Sequence, residues 1–246
     1  MSIFAENNII MEYEKYIVPI YTSQESKTEP DENDFNGNGI IIGKFLITAG
    51  HVVMNDDIPV NTIENVWFKY NNVPYKLSES PIYYEYDKPY QVIGCSTLQK
   101  LDLAIYVIET EINSPIEFVN DTDDYKYRDC SYYGYTMNED SNQLDFDVVD
   151  QMQVYLKATE RRGDCCYYID NCYEVTTNYL FKKGNSGGSI FQNDRFVGLF
   201  VALPYDENHN PLTNKYRCVS AKYINNIIQS LQCSLSSQNV VSLKTS

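Results

Sequence analysis

Three side chains whose combined chemistry is acyl transfer occur in this chain in the order His51, Asp102, Ser186. A serine hydroxyl is a weak nucleophile at neutral pH, and it becomes effective when an imidazole removes its proton during attack and returns it to the leaving group. The imidazole in turn needs a carboxylate that fixes its tautomer and stabilises the transient cation. We therefore predict Ser186 as the nucleophile, His51 as the general base and then general acid, and Asp102 as the partner of His51.

The residues around Ser186 are suited to stabilising the negative charge that such an attack creates. They read Gly184-Asn185-Ser186-Gly187-Gly188. Glycine permits the backbone angles and the close approach that a turn lined with N–H donors requires. We expect the main-chain N–H groups of Gly184 and Ser186 to form an oxyanion hole, in which one donor lowers the barrier by roughly 3–4 kcal/mol.

Two apolar segments are expected to hold the other two side chains. His51 follows residues 40–48, which are mostly apolar, and Asp102 precedes the apolar run 103–108. Each run is typical of a buried strand. A carboxylate at the end of a buried strand needs a partner, and His51 is the natural one.

The pattern of the whole chain predicts an all-β fold, because short β-rich runs alternate with turn residues at even spacing. The expected strands are 16–21, 40–42, 45–48, 65–70, 73–77, 90–94, 103–108, 130–135, 146–156, 165–169, 173–180, 189–192 and 195–202. Between them, residues 22–38 are predicted to be an exposed loop, Gly43-Lys44 a hairpin turn, and 109–127 a connector between lobes.

The end of the chain is the exception to this pattern. Apolar residues recur at three and four positions within 221–232, which predicts an amphipathic helix capped by Ser220. We expect an N-terminal lobe at 1–118 that carries the His and the Asp, a second lobe at 119–233 that carries the Ser, and a flexible tail at 234–246.

Composition limits the classes of partner. The net charge of −15 argues against a nucleic-acid partner, whose phosphates would be repelled. No apolar run of about 18 residues predicts a membrane span, and the first eight residues do not resemble a secretory signal. A cytoplasmic or otherwise intracellular location is therefore expected, with reduced cysteines. Cys165, Cys166 and Cys172 form no Cys-x-x-Cys motif and have no nearby histidine, so we predict neither a metal nor another cofactor. The oligomeric state stays open.

At this point a family can be named: the sequence resembles the trypsin and chymotrypsin superfamily of serine proteases. The resemblance is carried by Gly39–Val53 with its Thr48-Ala49-Gly50-His51 motif, by Asp102-Leu103-Ala104, by Gly184–Gly188, by 196–201 and by the closing helix. It implies two six-stranded antiparallel β-barrels with a C-terminal α-helix and an active site in the cleft between the barrels. It also implies a serine endopeptidase that acts on a polypeptide substrate through an acyl-enzyme.

One departure from the family pattern concerns activation. Members that are activated by propeptide cleavage have an aspartate just before the nucleophile, where this chain has the neutral Asn185. The sequence is more similar to the intracellular, bacterial and viral branches, so we predict no zymogen switch of the ion-pair type. A composition with 23 tyrosines fits AT-rich genomes, those of bacteria, protists and large DNA viruses alike.

The resemblance also suggests which residues select the substrate. Leu180, six positions before Ser186, corresponds to the floor of the primary specificity pocket, and Val201, Ala202 and Leu203 correspond to its wall. This predicts a shallow pocket for small or medium apolar P1 residues. Alternatively, Lys182 and Lys183 attract acidic side chains. The other histidine, His209, lies in a polar turn, and no histidine lies on the pocket strand to read glutamine.

Two other functions compete with an active protease. The first is a catalytically silent or gated protein of the same fold that acts as a binding module. The second is an esterase of the α/β-hydrolase type, which would need Gly-x-Ser-x-Gly between a strand and a helix and a histidine last in the chain. Because His51 comes first and the chain is rich in β-strands, the sequence disfavours the esterase.

Overall fold

The computed structural model describes residues 13–25, 27–53, 65–77, 80–85, 101–112, 114–120, 126–138, 140–156, 158–162, 165–169, 171–202 and 214–243. Within these ranges the side chains of 110–111, 158–162, 165–169, 202 and 236–243 are outside the description. The strand predicted at 90–94 and the predicted wall residue Leu203 lie outside the described residues.

The first half of the chain forms a sheet of six antiparallel strands in the order β4-β3-β1-β2-β6-β5. Its strands are β1 Ile17–Ser23, β2 Phe35–Thr48, β3 Asn65–Tyr70, β4 Val73–Lys76, β5 Tyr83–Glu85 and β6 Leu103–Ile112. The middle strands β1, β2 and β6 carry nearly continuous buried runs, as strands covered on both faces do.

The second half forms a closed barrel of six antiparallel strands, because β13 pairs with both β8 and β14 in the ring β13-β8-β9-β12-β15-β14. A short strand, β7, adds parallel to the outside of β14. The strands are β7 Glu117–Phe118, β8 Lys126–Asn138, β9 Gln143–Tyr155, β12 Cys172–Thr176, β13 Ser189–Gln192, β14 Arg195–Ala202 and β15 Lys215–Ser220, with a separate hairpin of β10 Ala158–Arg162 and β11 Cys165–Ile169.

A C-terminal α-helix, α1 (Ala221–Leu243), closes the described part of the fold. The Ser220 hydroxyl accepts a hydrogen bond from the Tyr223 N–H at 3.2 Å, which confirms the predicted cap. The helix is longer than the predicted 221–232 segment and includes most of the expected tail. The reason is that no glycine or proline follows residue 220 to end it.

The fold is the predicted one, an all-β pair of six-stranded antiparallel units of the chymotrypsin type with a C-terminal helix. The predicted hairpin at Gly43-Lys44 is wrong. β2 runs through these residues without reversing, and its register with β6 shifts between Gly43 and Phe45. Gly43 has φ +61°, so its left-handed conformation serves a β-bulge that bends one strand. The predicted loop at 22–38 also ends early, because β2 begins at Phe35.

Two clusters of buried hydrophobic residues pack against the elements that carry the site residues. One joins β2 and β6 of the first sheet to β14, β15 and α1 of the second half. The other fills the closed barrel and is rich in aromatic rings, with Phe181 in contact with Tyr132, Phe200 and Tyr216 at centroid distances of 4.7, 4.3 and 4.8 Å. Since Phe181 lies five residues before Ser186, this aromatic cluster anchors the segment that leads to the nucleophile.

Candidate active site

The structure brings His51 and Asp102 together. Thr48, at the end of β2, pairs with Ala104, at the start of β6, so the turn after β2 lies beside the residue that precedes β6. The carboxylate of Asp102 accepts two hydrogen bonds from His51, one from the main-chain N–H at 2.9 Å and one from Nδ1 at 2.5 Å. The register of two buried strands thus sets the position of the pair.

This contact fixes the chemistry of the imidazole. An ionised carboxylate only accepts hydrogen bonds, so Nδ1 of His51 carries the proton when Asp102 is ionised. The basic lone pair of the neutral ring is then on Nε2. The His51 side chain is 32% exposed and that of Asp102 is 18% exposed, so the base faces outward from a more enclosed carboxylate.

The residues before Ser186 form a tight turn. The Asn185 N–H donates to the Lys182 carbonyl at 3.2 Å, which closes a four-residue β-turn with Gly184 in the third position. Gly184 has φ +97°, as the third residue of a type II turn requires. The Asn185 side chain reinforces the turn, because its Oδ1 accepts a hydrogen bond from the Lys182 N–H at 2.7 Å.

A neutral network holds Asn185 in place. Asn185 is fully buried, and its carbonyl accepts a hydrogen bond from the Tyr132 hydroxyl at 2.9 Å. Its Nδ2 donates back to the same hydroxyl at 3.3 Å. Burial raises the pKa of Tyr132 far above its usual value, which keeps the hydroxyl protonated as a donor. The side chain of Asn185 is therefore held by neutral groups, the Tyr132 hydroxyl and the Lys182 N–H.

Strand β2 binds the turn directly. The Asn38 N–H donates to the Ser186 carbonyl at 2.7 Å, and Asn38 Nδ2 donates to the Gly184 carbonyl at 2.8 Å. The Thr48 hydroxyl donates to the Asn38 carbonyl at 2.6 Å. A Cβ atom on Gly187 would collide with that same carbonyl, so only glycine allows this approach. The turn that carries the predicted nucleophile therefore lies against the strand that leads to His51.

Gly37 supplies a second point of contact between the two parts. A Cβ atom there would lie 2.7 Å from the Val52 side chain and 2.8 Å from the Ser186 carbonyl. The neighbouring Asn36 donates from Nδ2 to the Val52 carbonyl at 2.6 Å. Val52 follows His51 directly, so the β2 backbone at 36–38 touches both the His51 turn and the Ser186 turn.

The N–H groups of the turn fall into two sets within the described part of the chain. Those of Asn185, Gly187 and Gly188 donate to main-chain carbonyls at 3.2, 2.7 and 3.1 Å. Those of Gly184 and Ser186 have no acceptor among the described residues. The two amides left for a ligand are the pair that the sequence predicts for an oxyanion hole. The Ser186 hydroxyl donates to the Val201 carbonyl at 3.4 Å.

The residues predicted for the specificity pocket lie in different environments. Leu180 is 64% exposed, whereas Val201 is 4% exposed and packs in the interior. The main chain of Ala202 pairs with Arg217 in β15. Leu180 thus faces solvent and does not form a buried floor, whereas the next residue, Phe181, is buried in the aromatic cluster of the barrel.

Asn38 is the site residue that sequence reasoning missed. It falls in the predicted loop, yet it is fully buried and bonds to both Gly184 and Ser186. The available signal was an asparagine between two glycines immediately before the apolar run at 40–42. A polar residue there indicates a strand whose backbone approaches another segment closely.

The described residues also bear on metal binding, membrane insertion and disulfide formation. They contain no group of three or more His, Cys, Asp or Glu side chains arranged to hold a metal ion. None of their helices has the length and apolar character needed to cross a membrane. Cys130, Cys172 and Cys218 are buried thiols and Cys233 is an exposed thiol, and none of the four forms a disulfide.

Comparison with known proteins gives the family. The family model described as Trypsin matches residues 13–227. The M. tuberculosis protease Rv3671c is similar in its active form, with TM-score 0.59 and 14% identity over 92% of this chain and 85% of that one. The inactive form of Rv3671c gives TM-score 0.58 and 14% identity over 92% and 93%.

The HtrA-type protease AlgW with a decapeptide gives TM-score 0.55 and 14% identity over 91% of this chain and 66% of that one. The chain thus spans about two thirds of the length of AlgW. No curated protein sequence matches the chain. At these identities the solved structures establish the fold, while the family model covers most of the sequence. The chain belongs to the trypsin family of serine proteases.

Proposed function

We propose that this protein is a serine endopeptidase that cleaves polypeptides through an acyl-enzyme on Ser186. The observation that carries the proposal is the pair of hydrogen bonds from His51 to Asp102, which fixes the base on a turn that contacts the same strand as the Ser186 turn. The proposal is therefore supported by two turns, one carrying His51 and one carrying Ser186, that both contact strand β2.

In the proposed first step, Ser186 Oγ attacks the carbonyl carbon of the scissile peptide bond while its proton passes to His51 Nε2. The new C–O bond leaves a negative charge on the former carbonyl oxygen. The N–H groups of Gly184 and Ser186 donate to this oxyanion, each contributing roughly 3–4 kcal/mol. Asp102 stabilises the imidazolium.

In the second step, the oxyanion re-forms its C=O bond, the C–N bond breaks, and the leaving amine takes the proton from His51 Nε2. A water molecule then repeats the sequence on the ester, with Nε2 accepting its proton and returning it to Ser186 Oγ. No metal or organic cofactor takes part in this scheme.

The Ser186 hydroxyl must first turn away from Val201. Its hydrogen bond to the Val201 carbonyl is 3.4 Å long, near the outer limit for a bond of this type, so breaking it costs little. The same observation favours the second candidate function, a gated or silent binding module. Within the described residues, the hydroxyl bonds to Val201 and not to His51.

For substrate choice we propose an apolar P1 preference. Leu180 offers exposed apolar surface near the turn, and the next residue, Phe181, is buried against Tyr216. A side chain that binds over Leu180 would meet a shallow surface, which favours small or medium apolar residues. We also propose that residues 1–118 and 119–233 act as two lobes, since the strands of the first sheet end at Ile112 and those of the second sheet, apart from the short β7, begin at Lys126.

A fluorophosphonate probe tests the function directly. The probe labels a serine that has an assembled base and oxyanion hole, so we expect labelling of the wild type and none of Ser186→Ala or His51→Ala. Circular dichroism of all three proteins controls for folding. A folded wild type that resists labelling would contradict the active protease and favour the gated or silent module.

A further inference from the structure

Two lysines occupy the first half of the turn that presents Ser186. The β-turn consists of Lys182, Lys183, Gly184 and Asn185, and Ser186 follows it. Both lysine side chains are exposed. Neither has an ion-pair or hydrogen-bonding partner for its ammonium group among the described residues. Two exposed cationic groups thus stand beside the predicted nucleophile.

The turn holds these lysines at a fixed position relative to Ser186. The Lys182 N–H donates to Asn185 Oδ1 at 2.7 Å, and the Lys182 carbonyl accepts from the Asn185 N–H at 3.2 Å. The ends of a β-turn lie within about 7 Å, and one more residue adds about 3.8 Å. Both lysine Cα atoms therefore lie within about 11 Å of the Ser186 Cα.

This local charge opposes the charge of the chain as a whole. The net charge of −15 repels acidic peptides, but that charge is spread over the surface and is screened beyond roughly 8 Å at physiological salt. The two ammonium groups act within that distance on a peptide bound across the turn. An acidic side chain next to the scissile bond thus meets attraction at the site and weak repulsion elsewhere.

Building on the proposed protease function, we infer that Lys182 and Lys183 select polypeptides with acidic residues flanking the scissile bond. The lysines act on the flanking residues, and the apolar surface of Leu180 contacts the P1 residue. A single exposed ion pair, worth about 0.2–1 kcal/mol, favours binding about 1.4- to fivefold. We expect the two lysines together to give about a fivefold preference for acidic over neutral peptides.

The test uses two ten-residue peptides of Ala and Ser with a central Leu and four flanking Glu or four flanking Gln residues. Because Gln matches Glu in shape, the pair differs in charge alone. Kd for both peptides is measured on Ser186→Ala protein, and kcat/KM on protein with Ser186 intact. Each measurement is repeated with Lys182→Gln/Lys183→Gln. The control variant is Lys44→Gln/Lys222→Gln, which also removes two positive charges, one from β2 and one from α1.

We expect the Glu peptide to be favoured about fivefold by the parent and the control. In the Lys182→Gln/Lys183→Gln variant the ratio should fall to one or below, because the remaining net charge then dominates. Equal binding of the two peptides by the parent, or a preference that survives in this variant, overturns the inference. Binding to Ser186→Ala does not require catalysis, so failure of the proposed function shows separately, as missing fluorophosphonate labelling.

Discussion

Asn38 of β2 donates its main-chain N–H to the carbonyl of Ser186 at 2.7 Å, which joins the first sheet to the turn of the second barrel. The Asn38 side chain extends this link. Its Nδ2 donates to the carbonyls of Gly184 and Tyr135 at 2.8 and 3.0 Å, and its Oδ1 accepts from the Tyr135 N–H at 2.6 Å. One buried amide thus connects β2, β8 and the turn.

Replacing Asn38 by alanine should destabilise the protein and misplace the turn together. The change leaves three buried main-chain groups without partners, each costing about 1–3 kcal/mol, so we expect a loss of about 3 kcal/mol in the free energy of unfolding. Urea unfolding measures this loss, and the fluorophosphonate labelling rate should fall at least tenfold. The exposed Asn33→Ala is the control. Unchanged stability in Asn38→Ala would contradict the role of this residue.

Asn185→Asp tests the neutral network around the turn. A carboxylate in this fully buried position would face the neutral Tyr132 hydroxyl, while the Lys182 and Lys183 side chains are exposed to solvent, so burial should raise its pKa and cost about 3 kcal/mol when it is ionised. Because the unfolded carboxyl ionises near 3.9, stability relative to wild type should be retained at lower pH and lost as the pH rises above about 4. Urea unfolding at pH 4 and pH 7 measures this.

The control for this pH dependence is Asn226→Asp, in which the new carboxylate lies at an exposed position of α1. Its stability should follow wild type at both pH values. If Asn185→Asp also follows wild type at pH 7, the buried position tolerates a charge and the neutral network is not required.

The buried cysteines predict a loss of stability in alkali. Burial raises the pKa of Cys130 and of Cys172 from 9.0 to about 12. Between about pH 9 and 12 the unfolded thiols release protons that the folded thiols keep, so the free energy of unfolding should fall as the pH rises through this range. Tyr135 and Tyr179, whose pKa values burial also raises to about 12, act in the same direction.

Alkylation with iodoacetamide at pH 8, followed by peptide mapping, checks the cysteines one by one. The exposed Cys233 should react rapidly, whereas Cys130 and Cys172 should react only after urea is added, because the thiolate is the reactive form. Rapid modification of Cys172 in the folded protein would show that its thiolate is accessible and would contradict this prediction.

Leu180→Asp tests the proposed P1 preference. Leu180 is 64% exposed, so its replacement should change the free energy of unfolding by less than about 0.5 kcal/mol. The carboxylate should lower kcat/KM for peptides with an apolar P1 residue and raise it for peptides with a basic one. Val73→Asp, at another exposed apolar position on β4, is the control. An unaltered P1 profile in Leu180→Asp would remove Leu180 from the site.

The sequence predicts those parts of the fold and site that depend on neighbours in the chain. The strand before His51 and the strand after Asp102 are visible as apolar runs, and the hydrogen bonds between these two residues fit the predicted pairing. The role of Gly184 could also be predicted, because its position in the turn needs a positive φ. The assignment of Ser186 as the nucleophile stays a prediction.

Features that depend on contacts between residues far apart in the chain could not be predicted from the sequence. Asn38 looks like a loop residue until Gly184, Ser186 and Tyr135 surround it. Gly43 resembles a hairpin turn in sequence, and only its pairing opposite Ile112 shows that the strand continues through it. The strand at 215–220 was missed because it follows a polar segment and is itself partly polar.

Strand β2 acts as a spacer between the two chemical groups. Asn38 near its start donates a hydrogen bond to the Ser186 turn, and Thr48 at its end lies three residues before His51. Each strand residue advances the chain by about 3.3 Å, and successive side chains point to opposite faces. One residue inserted between Asn38 and Thr48 would therefore shift the imidazole by that step and reverse the orientation of the residues between. The length of that segment therefore sets the distance between the two groups, and its fully buried side chains, such as Phe45 and Leu46, hold it in place.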